Sequence, residues 1–245
     1  MRAGKPLGGR VRGHHRLKLL PARRAAHAET RRTHRLRRTA SGLLALRRAL
    51  GKTHPRVVGV DDGAFVRGDR TAPIAAVVLS VPEHVEAVRA DRVRVDGRDA
   101  TRRVIAVVRA TGPLDGVRAV LLDGAVLGGF NVVDLDAVHR SLGRPVVAVT
   151  RRAPEFTRIR AALRKWFPKD AGRRYRLLTA HRLFAVPTGG RPIFATAVGC
   201  SRADALHLLR RTTVRGYWPE PLRLAHLVAS AGAGLASDRG VRAKH

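Results

Sequence analysis

Short apolar runs alternate with polar residues from Val57 onward, which is typical of a folded α/β domain. Val57–Val60 predicts a first strand because its apolar run is rich in β-branched residues. Pro73–Val81 and Val85–Val95 have the same character and are separated only by a turn at Pro82-Glu83. Connections this short join antiparallel neighbours, so the three strands are predicted to form an antiparallel meander.

The segment Asp99–Ala110 predicts the first helix. Its valines recur at roughly helical spacing, and the Asp99 carboxylate can cap the free N–H groups of the first turn. A strand, a helix and a further strand are predicted to follow at Val117–Leu122, Val132–Leu142 and Pro145–Thr150. The order β-β-β-α-β-α-β therefore predicts an α/β fold with a mixed central sheet and flanking helices.

The pattern continues to Ala231. Helices are predicted over Pro154–Phe167, Ser201–Arg211 and Leu222–Ala231, and extended segments at Tyr175–Leu178, Leu183–Val186 and Ile193–Val198. One domain over residues 57–232 is the simplest interpretation of this pattern. Residues 233–245 are expected to form a flexible tail.

Residues 1–56 have a different composition from the rest of the chain. Glu29 is their only acidic residue, whereas arginines recur throughout. Like charges at this density repel one another and favour a solvated chain, so we expect a disordered basic arm. Such an arm either follows the phosphates of a nucleic acid or is an extension without a function of its own.

The net charge suggests a partner. The 245 residues include 49 Lys and Arg against 18 Asp and Glu, which gives a formal net charge of +31. Neutralising phosphates releases counterions, so a chain this basic is attracted to nucleic acid, and DNA is the expected partner. A general bias of the composition towards arginine is the alternative explanation, and it would carry no information about a partner.

Cysteine usage and apolar content suggest the compartment. The single cysteine, Cys200, excludes an internal disulfide and a cysteine-based zinc site. No apolar stretch approaches the ~20 residues of a membrane helix, and charged residues interrupt the N-terminus where a signal peptide would be apolar. We therefore expect a soluble, cytoplasmic protein with no membrane partner.

Two aspartates, Asp61 and Asp123, each follow a short apolar run and precede a glycine-containing turn. Carboxylates that converge from the ends of neighbouring strands form an oxygen-ligand site for Mg²⁺. Taken singly, each aspartate can equally be a turn residue. Together with the basic charge, the pair predicts a metal site that acts on a nucleic acid.

The order of elements, with acids at the end of strand one, the start of the first helix and the end of strand four, resembles the ribonuclease H-like fold, and within it endonuclease V. The matching segments are Val58-Gly59-Val60-Asp61, Leu121-Leu122-Asp123-Gly124, Pro145-Val146-Val147-Ala148-Val149 with Arg151, Gly199-Cys200-Ser201, and Tyr217-Trp218-Pro219-Glu220-Pro221-Leu222-Arg223-Leu224-Ala225-His226. Three further motifs, Gly-Val-Asp-Asp-Gly, Val-Asp-Gly-Arg-Asp-Ala-Thr and Gly-Gly-Phe-Asn, are similar to those of an endonuclease V-related family long labelled as a domain of unknown function. Members of that branch are associated with DNA cleavage at deoxyuridine. The resemblance implies a Mg²⁺-dependent endonuclease of DNA repair, with Mn²⁺ as an alternative ion and no other cofactor.

The resemblance also implies a third catalytic acid, in a short window that contains both Asp96 and Asp99. Asp99 is the preferred metal ligand beside Asp61 and Asp123, because a side chain that opens a helix can project over the strand ends. Asp96 is the substitute, since it also follows a strand. A plain N-cap is the other interpretation of Asp99.

Four further residues are candidates for substrate binding: Gly128, Gly129, Asn131 and Arg151. Arg151 stands where the endonuclease V pattern has a lysine, so it can contact the scissile phosphate, or it is a plain exposed arginine. Gly128-Gly129-Phe130-Asn131 lies between strand four and the next helix, at the edge that bears the acids. Its backbone groups and the Asn131 amide can form a pocket for a flipped base.

Two departures from the endonuclease V pattern affect the predicted substrate. Ala90–Val95 lacks the aromatic wedge that precedes the second acid of that family, and Cys200 replaces a histidine. We therefore expect DNA cleavage near a deaminated base, with deoxyuridine preferred to inosine. Two alternatives stay open: a protein of the same fold that binds DNA or RNA without turnover, and a related nuclease that acts on RNA or on branched DNA.

Overall fold

The computed structural model describes residues 54–66 and 68–234. Of the basic segment 1–56, only residues 54–56 belong to this part of the chain, so the predicted arm lies outside the described residues. The first strand begins at Arg56 and the last helix ends at Gly234, inside the range expected to be a tail. The rest of that tail, residues 235–245, also lies outside them.

The described residues form a mixed central sheet and a small hairpin. The strands are β1 (Arg56–Asp62), β2 (Thr71–Ser80), β3 (His84–Arg94), β4 (Val117–Asp123), β5 (Val126–Leu127), β6 (Asn131–Val132), β7 (Val146–Thr150), β8 (Phe184–Val186) and β9 (Ile193–Val198). The sheet has the order β3-β2-β1-β4-β7-β9-β8, and β5 pairs with β6 separately. β1, β2 and β3 pair antiparallel, as predicted, whereas β1, β4 and β7 run parallel at the centre.

Six helices lie in the described part of the chain. They are α1 (Ala100–Arg109), α2 (Leu135–Leu142), α3 (Phe156–Trp166), α4 (Ala171–Leu178), α5 (Arg202–Thr212) and α6 (Glu220–Gly234). Five of the six agree with the predicted helical segments. Within residues 54–66 and 68–234, none of them combines the length and the apolar character that crossing a bilayer requires.

Two predicted elements differ from the structure. The extended segment predicted at Tyr175–Leu178 is wrong, because these residues end α4, where Ala171 and Arg174 are buried one helical turn apart. The predicted helix Val132–Leu142 begins later. Its first residue, Val132, pairs with Val126 in the β5–β6 hairpin, and Asp134 caps α2 by accepting a hydrogen bond from the backbone N–H of Ala137 at 2.9 Å.

The two faces of the sheet carry separate hydrophobic cores. Val58 of β1 points to the face covered by α1 and α2, and Val57 points to the face covered by α5 and α6. Gly59 allows α6 to approach β1 closely, because a Cβ atom there would lie 2.1 Å from the carbonyl oxygen of Pro221. By the alternation of a strand, Asp61 lies on the same face as Val57 and Gly59.

Candidate active site at the carboxyl ends of β1 and β4

Asp61 is fully buried at the end of β1. Its Oδ1 atom accepts a hydrogen bond from the backbone N–H of Asp62 at 2.8 Å, and its Oδ2 atom lies 3.0 Å from Nδ1 of His226. The other ring nitrogen of His226, Nε2, lies 3.3 Å from the hydroxyl oxygen of Ser230. Helix α6 therefore supplies an imidazole that fixes the orientation of the Asp61 carboxylate.

Asp123 ends β4 beside Asp61. The parallel register pairs Val60 with Leu122, so the residues that follow, Asp61 and Asp123, are neighbours across the sheet. Leu121 packs in the core on the α5 and α6 side, and Asp123 follows it on the same face by strand alternation. Two carboxylates therefore lie at adjacent strand ends on one face of the sheet.

Arg151 follows β7 and pairs with Asp123, with Nη1 lying 3.2 Å from Oδ2. The guanidinium carbon lies 3.6 Å from the centroid of the Trp218 ring, which is a cation–π contact. The Arg151 side chain is only 24% exposed, so the interpretation as a plain exposed arginine is wrong. Its Nε and Nη2 atoms are buried and have no hydrogen-bond partner in the described residues. A contact with the scissile phosphate stays a prediction.

Asp99 immediately precedes α1, but its side chain does not cap the helix. Its backbone has right-handed helical angles (φ −105°, ψ −2°), and not the extended conformation from which an N-cap side chain reaches back to the first turn. The Asn131 side chain accepts the hydrogen bond from the Ala100 N–H instead, at 2.9 Å. The carboxylate of Asp99 accepts from the Asn131 amide at 2.7 Å and pairs with Arg103 at 3.5 Å. Asp99 therefore occupies the N-cap position, but the prediction that its carboxylate caps the helix is wrong.

Asp96 stabilises a turn. It is the only non-glycine residue with a positive φ in the described ranges, at 54°, and its Oδ1 atom accepts a hydrogen bond from the backbone N–H of Phe130 at 2.8 Å. Gly129 lies against the same carboxylate, because a Cβ atom there would be 2.4 Å from Oδ1 of Asp96. The choice between Asp99 and Asp96 as the third acid stays a prediction.

The loop Gly128-Gly129-Phe130-Asn131 uses most of its polar groups within the chain. The Gly128 N–H donates to Oδ2 of Asp62 at 2.7 Å, and the Gly128 carbonyl accepts from the backbone N–H of Asp96 at 2.8 Å. Asn131 is fully buried, and its amide also donates to the backbone carbonyl of Arg94 at 2.9 Å. A flipped base would have to compete with these bonds, and base binding by this loop stays a prediction.

Arg174 of α4 joins this loop to the turn that contains Asp96. Its Nη2 donates to the Asp96 carbonyl at 2.9 Å, its Nη1 donates to the Phe130 carbonyl, and its Nε donates to the Asp170 carboxylate at 3.0 Å. The guanidinium also lies 4.3 Å from the centroid of the Phe167 ring. The side chain is 5% exposed, so Arg174 is a buried clamp between α4 and the two loops beside the acids.

Sequence reasoning assigned no role to His226 or Arg174. His226 had a signal, because it lies four residues after Leu222 and therefore on the same inward face of the last helix. Arg174 had no such signal, because the residues that follow it were predicted to be extended and arginines are abundant in the chain. Both residues act through contacts between elements that are distant in the sequence.

The donors at this edge fit a hard divalent cation. Mg²⁺ is commonly held by one or two carboxylates together with water and substrate phosphate, and Asp61 and Asp123 are such a pair. Among residues 54–66 and 68–234, no three His, Cys, Asp or Glu side chains are close enough to one another to hold a metal ion. The set of three ligands, Asp61, Asp99 and Asp123, stays a prediction.

Cys200 follows β9 and packs against the core on the α5 and α6 side. Burial, followed by the negative charge of Asp204, raises the pKa of its thiol to about 12. The thiol is therefore protonated at neutral pH, whereas a nucleophile or a metal ligand would need the thiolate. Cys200 acts as a small apolar residue where the endonuclease V pattern has a histidine.

Known proteins are similar to this chain in both sequence and fold. The Endonuclease dU family model matches residues 53–232. The UPF0215 protein of Methanothermobacter thermautotrophicus is 35% identical over 190 residues, which cover 77% of this chain and 92% of that protein. A solved structure of a protein of unknown function from Archaeoglobus fulgidus has a TM-score of 0.64 at 32% identity, covering 72% of this chain and 96% of the other.

A more distant solved structure supports the fold assignment. Endonuclease V of Ciona intestinalis, in complex with a 24mer DNA that contains an inosine followed by a ribo-adenosine, has a TM-score of 0.53 at 15% identity. The match covers 76% of this chain and 88% of the other. At this identity the similarity shows the fold alone, and it confirms the predicted ribonuclease H-like architecture.

Proposed function

Because the chain belongs to the Endonuclease dU family, we propose that it is a metal-dependent endonuclease that cleaves DNA near a deaminated base. Deoxyuridine is the favoured lesion, Mg²⁺ or Mn²⁺ is the ion, and DNA repair is the process. The family is one of nucleases, and the fold is ribonuclease H-like. The observation that carries the proposal is the position of Asp61 and Asp123 at adjacent ends of parallel strands, on one face of the sheet.

Asp61 and Asp123 would hold the ion. When bound, the ion would act as a Lewis acid that activates water and stabilises charge on the phosphate. His226 is a positioning residue, since its Nδ1 atom holds one oxygen of Asp61. Arg151 has buried donors at Nε and Nη2 beside Asp123, and the Trp218 ring holds the plane of its guanidinium. These donors suit the non-bridging oxygens of a phosphate.

Asp99 is the third acid of the proposal, and Asp96 is its substitute. The Oδ2 atom of Asp99 pairs with Arg103 at the long distance of 3.5 Å, so a divalent cation can compete with the guanidinium for this carboxylate. Asp96 instead stabilises a left-handed turn through the Phe130 N–H. This difference favours Asp99.

The preference for deoxyuridine is supported by the segment Ala90–Val95. It has no aromatic residue, and its first five residues are paired with β2 along the sheet edge. A paired strand is poorly placed to enter a base stack, so the enzyme would act on lesions that leave the duplex easily, such as uracil opposite guanine. Gly128, Gly129 and Asn131 would contact the flipped base in the same proposal.

Cleavage of labelled duplexes tests this function. Four otherwise identical DNAs carry one uracil, one inosine, one xanthine or no lesion, and each is incubated with Mg²⁺, with Mn²⁺ or with EDTA. The uracil strand should be nicked fastest, and EDTA should stop the reaction. Asp123→Asn protein purified in parallel controls for a contaminating nuclease. Cleavage of inosine at least as fast as uracil would overturn the lesion assignment, and full activity in EDTA would overturn the metal assignment.

A second candidate is a protein of this fold that binds DNA or RNA without turnover. It is supported by the ion pairs of Asp123 with Arg151 and of Asp99 with Arg103, because a carboxylate that is already paired is a weaker metal ligand. The same assay separates the two candidates. Tight binding of the duplexes without any nick, in Mg²⁺ and in Mn²⁺, would favour the binding protein.

A further inference from the structure

The helical hairpin of α3 and α4 carries a dense positive charge. From residue 155 to residue 176 the chain has eight basic and two acidic residues. An open groove of about 250 Å³ lies between the two helices. It is lined by Arg160, Arg164, Ala171, Gly172, Tyr175 and Arg176, and its three arginines are exposed.

The two acids of the hairpin are engaged by other residues. Glu155 pairs with Arg158 at 2.9 Å. Asp170 is buried and pairs with both Arg98, at 2.9 Å, and Arg174, at 3.0 Å. The positive charge of the groove is therefore not neutralised by the hairpin itself.

Arg160 and Arg164 lie one helical turn apart on α3, and like charges at this spacing destabilise a helix. In residues 54–66 and 68–234, no carboxylate forms an ion pair with Arg160, Arg164 or Arg176. Three guanidinium groups are thus held around one groove at an electrostatic cost that a bound polyanion would remove. The planar guanidinium is also the side-chain group best suited to phosphate oxygens.

Aromatic side chains accompany the cations of the hairpin. The guanidinium of Arg160 lies 5.5 Å from the ring centroid of Tyr175, inside the groove. At the end of α3, Trp166 is 62% exposed and has the ammonium group of Lys165 at 5.0 Å from its ring centroid. Exposed aromatics among basic residues are typical of surfaces that contact nucleic acid.

The hairpin is attached to the candidate active site at both ends. α3 begins five residues after Arg151, which pairs with Asp123. α4 is tied to the Asp96 turn through Arg174. A helix of 11 residues rises about 16 Å, which equals roughly five base-pair steps of about 3.4 Å each. α3 therefore spans about five base pairs of a duplex, and it starts five residues after the arginine that pairs with Asp123.

We propose that the α3–α4 hairpin binds the phosphate backbone of duplex DNA beside the cleavage site, with Arg160, Arg164 and Arg176 contacting the phosphates. This inference rests on the proposed function, since it assigns a surface to the DNA that the active site would cut. The hairpin contributes affinity that does not depend on sequence, whereas the loops beside the acids select the lesion.

Filter-binding or anisotropy measurements with an undamaged DNA duplex test the inference. The full-length variant with Arg160→Ala, Arg164→Ala and Arg176→Ala is compared with wild type over a series of salt concentrations. Each phosphate contact contributes about 0.9 to the slope of log K against log salt, so the slope should fall by about two to three, and affinity at low salt should fall at least tenfold. Circular dichroism establishes that the variant is folded.

A matched control removes the same charge elsewhere. Arg89→Ala, Arg140→Ala and Arg210→Ala together replace three exposed arginines outside the hairpin. This control should keep a slope within about half a unit of wild type. Equal losses in the two triple variants would mean that net charge alone attracts the DNA, and an unchanged slope in the hairpin variant would mean that the groove does not contact it. Either result overturns the inference, even when wild-type protein cuts uracil DNA. Conversely, a loss confined to the hairpin variant supports the docking surface even when wild type cuts no lesion.

Discussion

The Nδ1 atom of His226 lies 3.0 Å from Oδ2 of Asp61, although 165 residues separate the two along the chain. The contact depends on Gly59, whose missing side chain lets α6 approach β1. Because Asp61 is fully buried, its carboxylate needs such a partner. The last helix is therefore part of the candidate active site as well as a cover for the sheet.

Substitution of Asp61 or Asp123 by Asn should abolish cleavage. The amide keeps the shape of the carboxylate but loses the charge that would hold a divalent ion. Metal-assisted stabilisation is worth several kcal/mol, so the rate should fall by roughly 10²-fold or more. Single-turnover cleavage of uracil DNA measures the loss, and Asp115→Asn, at an exposed aspartate outside the site, is the matched control. Wild-type rates in either site variant would exclude these carboxylates from the chemistry.

Replacing His226 with Ala should lower the affinity for Mg²⁺ more than it lowers the stability of the fold. Residues that orient a metal ligand typically contribute a factor of about 10 to 100 in metal affinity or activity. The concentration of Mg²⁺ that gives half-maximal cleavage should rise by that order. Ser230→Ala, which removes only the group beside Nε2, should have a smaller effect. If the Mg²⁺ dependence of His226→Ala matches that of wild type, the imidazole does not position Asp61.

Asp99 and Asp96 should respond differently to substitution by Asn. Asp99→Asn should lose cleavage and keep most of the stability, since its proposed role is chemical. Asp96→Asn should lose about 1 kcal/mol of stability, because a neutral amide is a weaker acceptor for the Phe130 N–H, and should keep more activity. Urea denaturation and uracil cleavage are measured on both proteins. The opposite pattern would identify Asp96 as the third acid.

The helices and strands were predictable where the local pattern of apolar and polar residues determines them. The buried strands β1 and β4 follow from uninterrupted apolar runs, and the β1–β2–β3 meander follows from connections too short for a crossover. The positions of Asp61 and Asp123 at strand ends follow from the same runs. Pairing of β1 with β4 depends on topology, which the resemblance to ribonuclease H-like proteins implied.

The other features of the fold and of the candidate site depend on tertiary contacts. The capping of α1 by Asn131 involves a residue 31 positions away, and it displaced the local interpretation of Asp99 as a cap. The Arg174 contact with Asp96 spans 78 positions. The Tyr175–Leu178 segment is too short for the spacing of its apolar residues to distinguish a strand from a helix. In each case the packed neighbours determined the outcome, and local sequence does not encode which neighbours those are.

Arg174→Met should destabilise the protein by about 3 kcal/mol, since removing one partner of a buried ion pair leaves the other charge poorly compensated. Asp170 would keep Arg98, whose side chain is 62% exposed. The two loops that Arg174 joins would also lose their shared donor, so cleavage should fall with stability. Urea denaturation measures the change, and Arg173→Met, at the exposed neighbouring position, is the control. Equal stability of the two variants would exclude a clamp.

Cys200 should make the protein less stable at alkaline pH. Burial raises the pKa of its thiol to about 12, from 9.0 for an unperturbed thiol. Between these two values only the unfolded chain releases the proton, so the contribution of this thiol is fully present below pH 9 and is lost as the pH rises towards 12. In that window the free energy of unfolding should fall by up to about 1.4 kcal/mol per pH unit more than in Cys200→Ser, whose hydroxyl does not titrate there. Chemical denaturation of both proteins at successive pH values from 8 upward measures this difference. Parallel curves would mean that the thiol ionises as readily in the folded protein as in the unfolded chain.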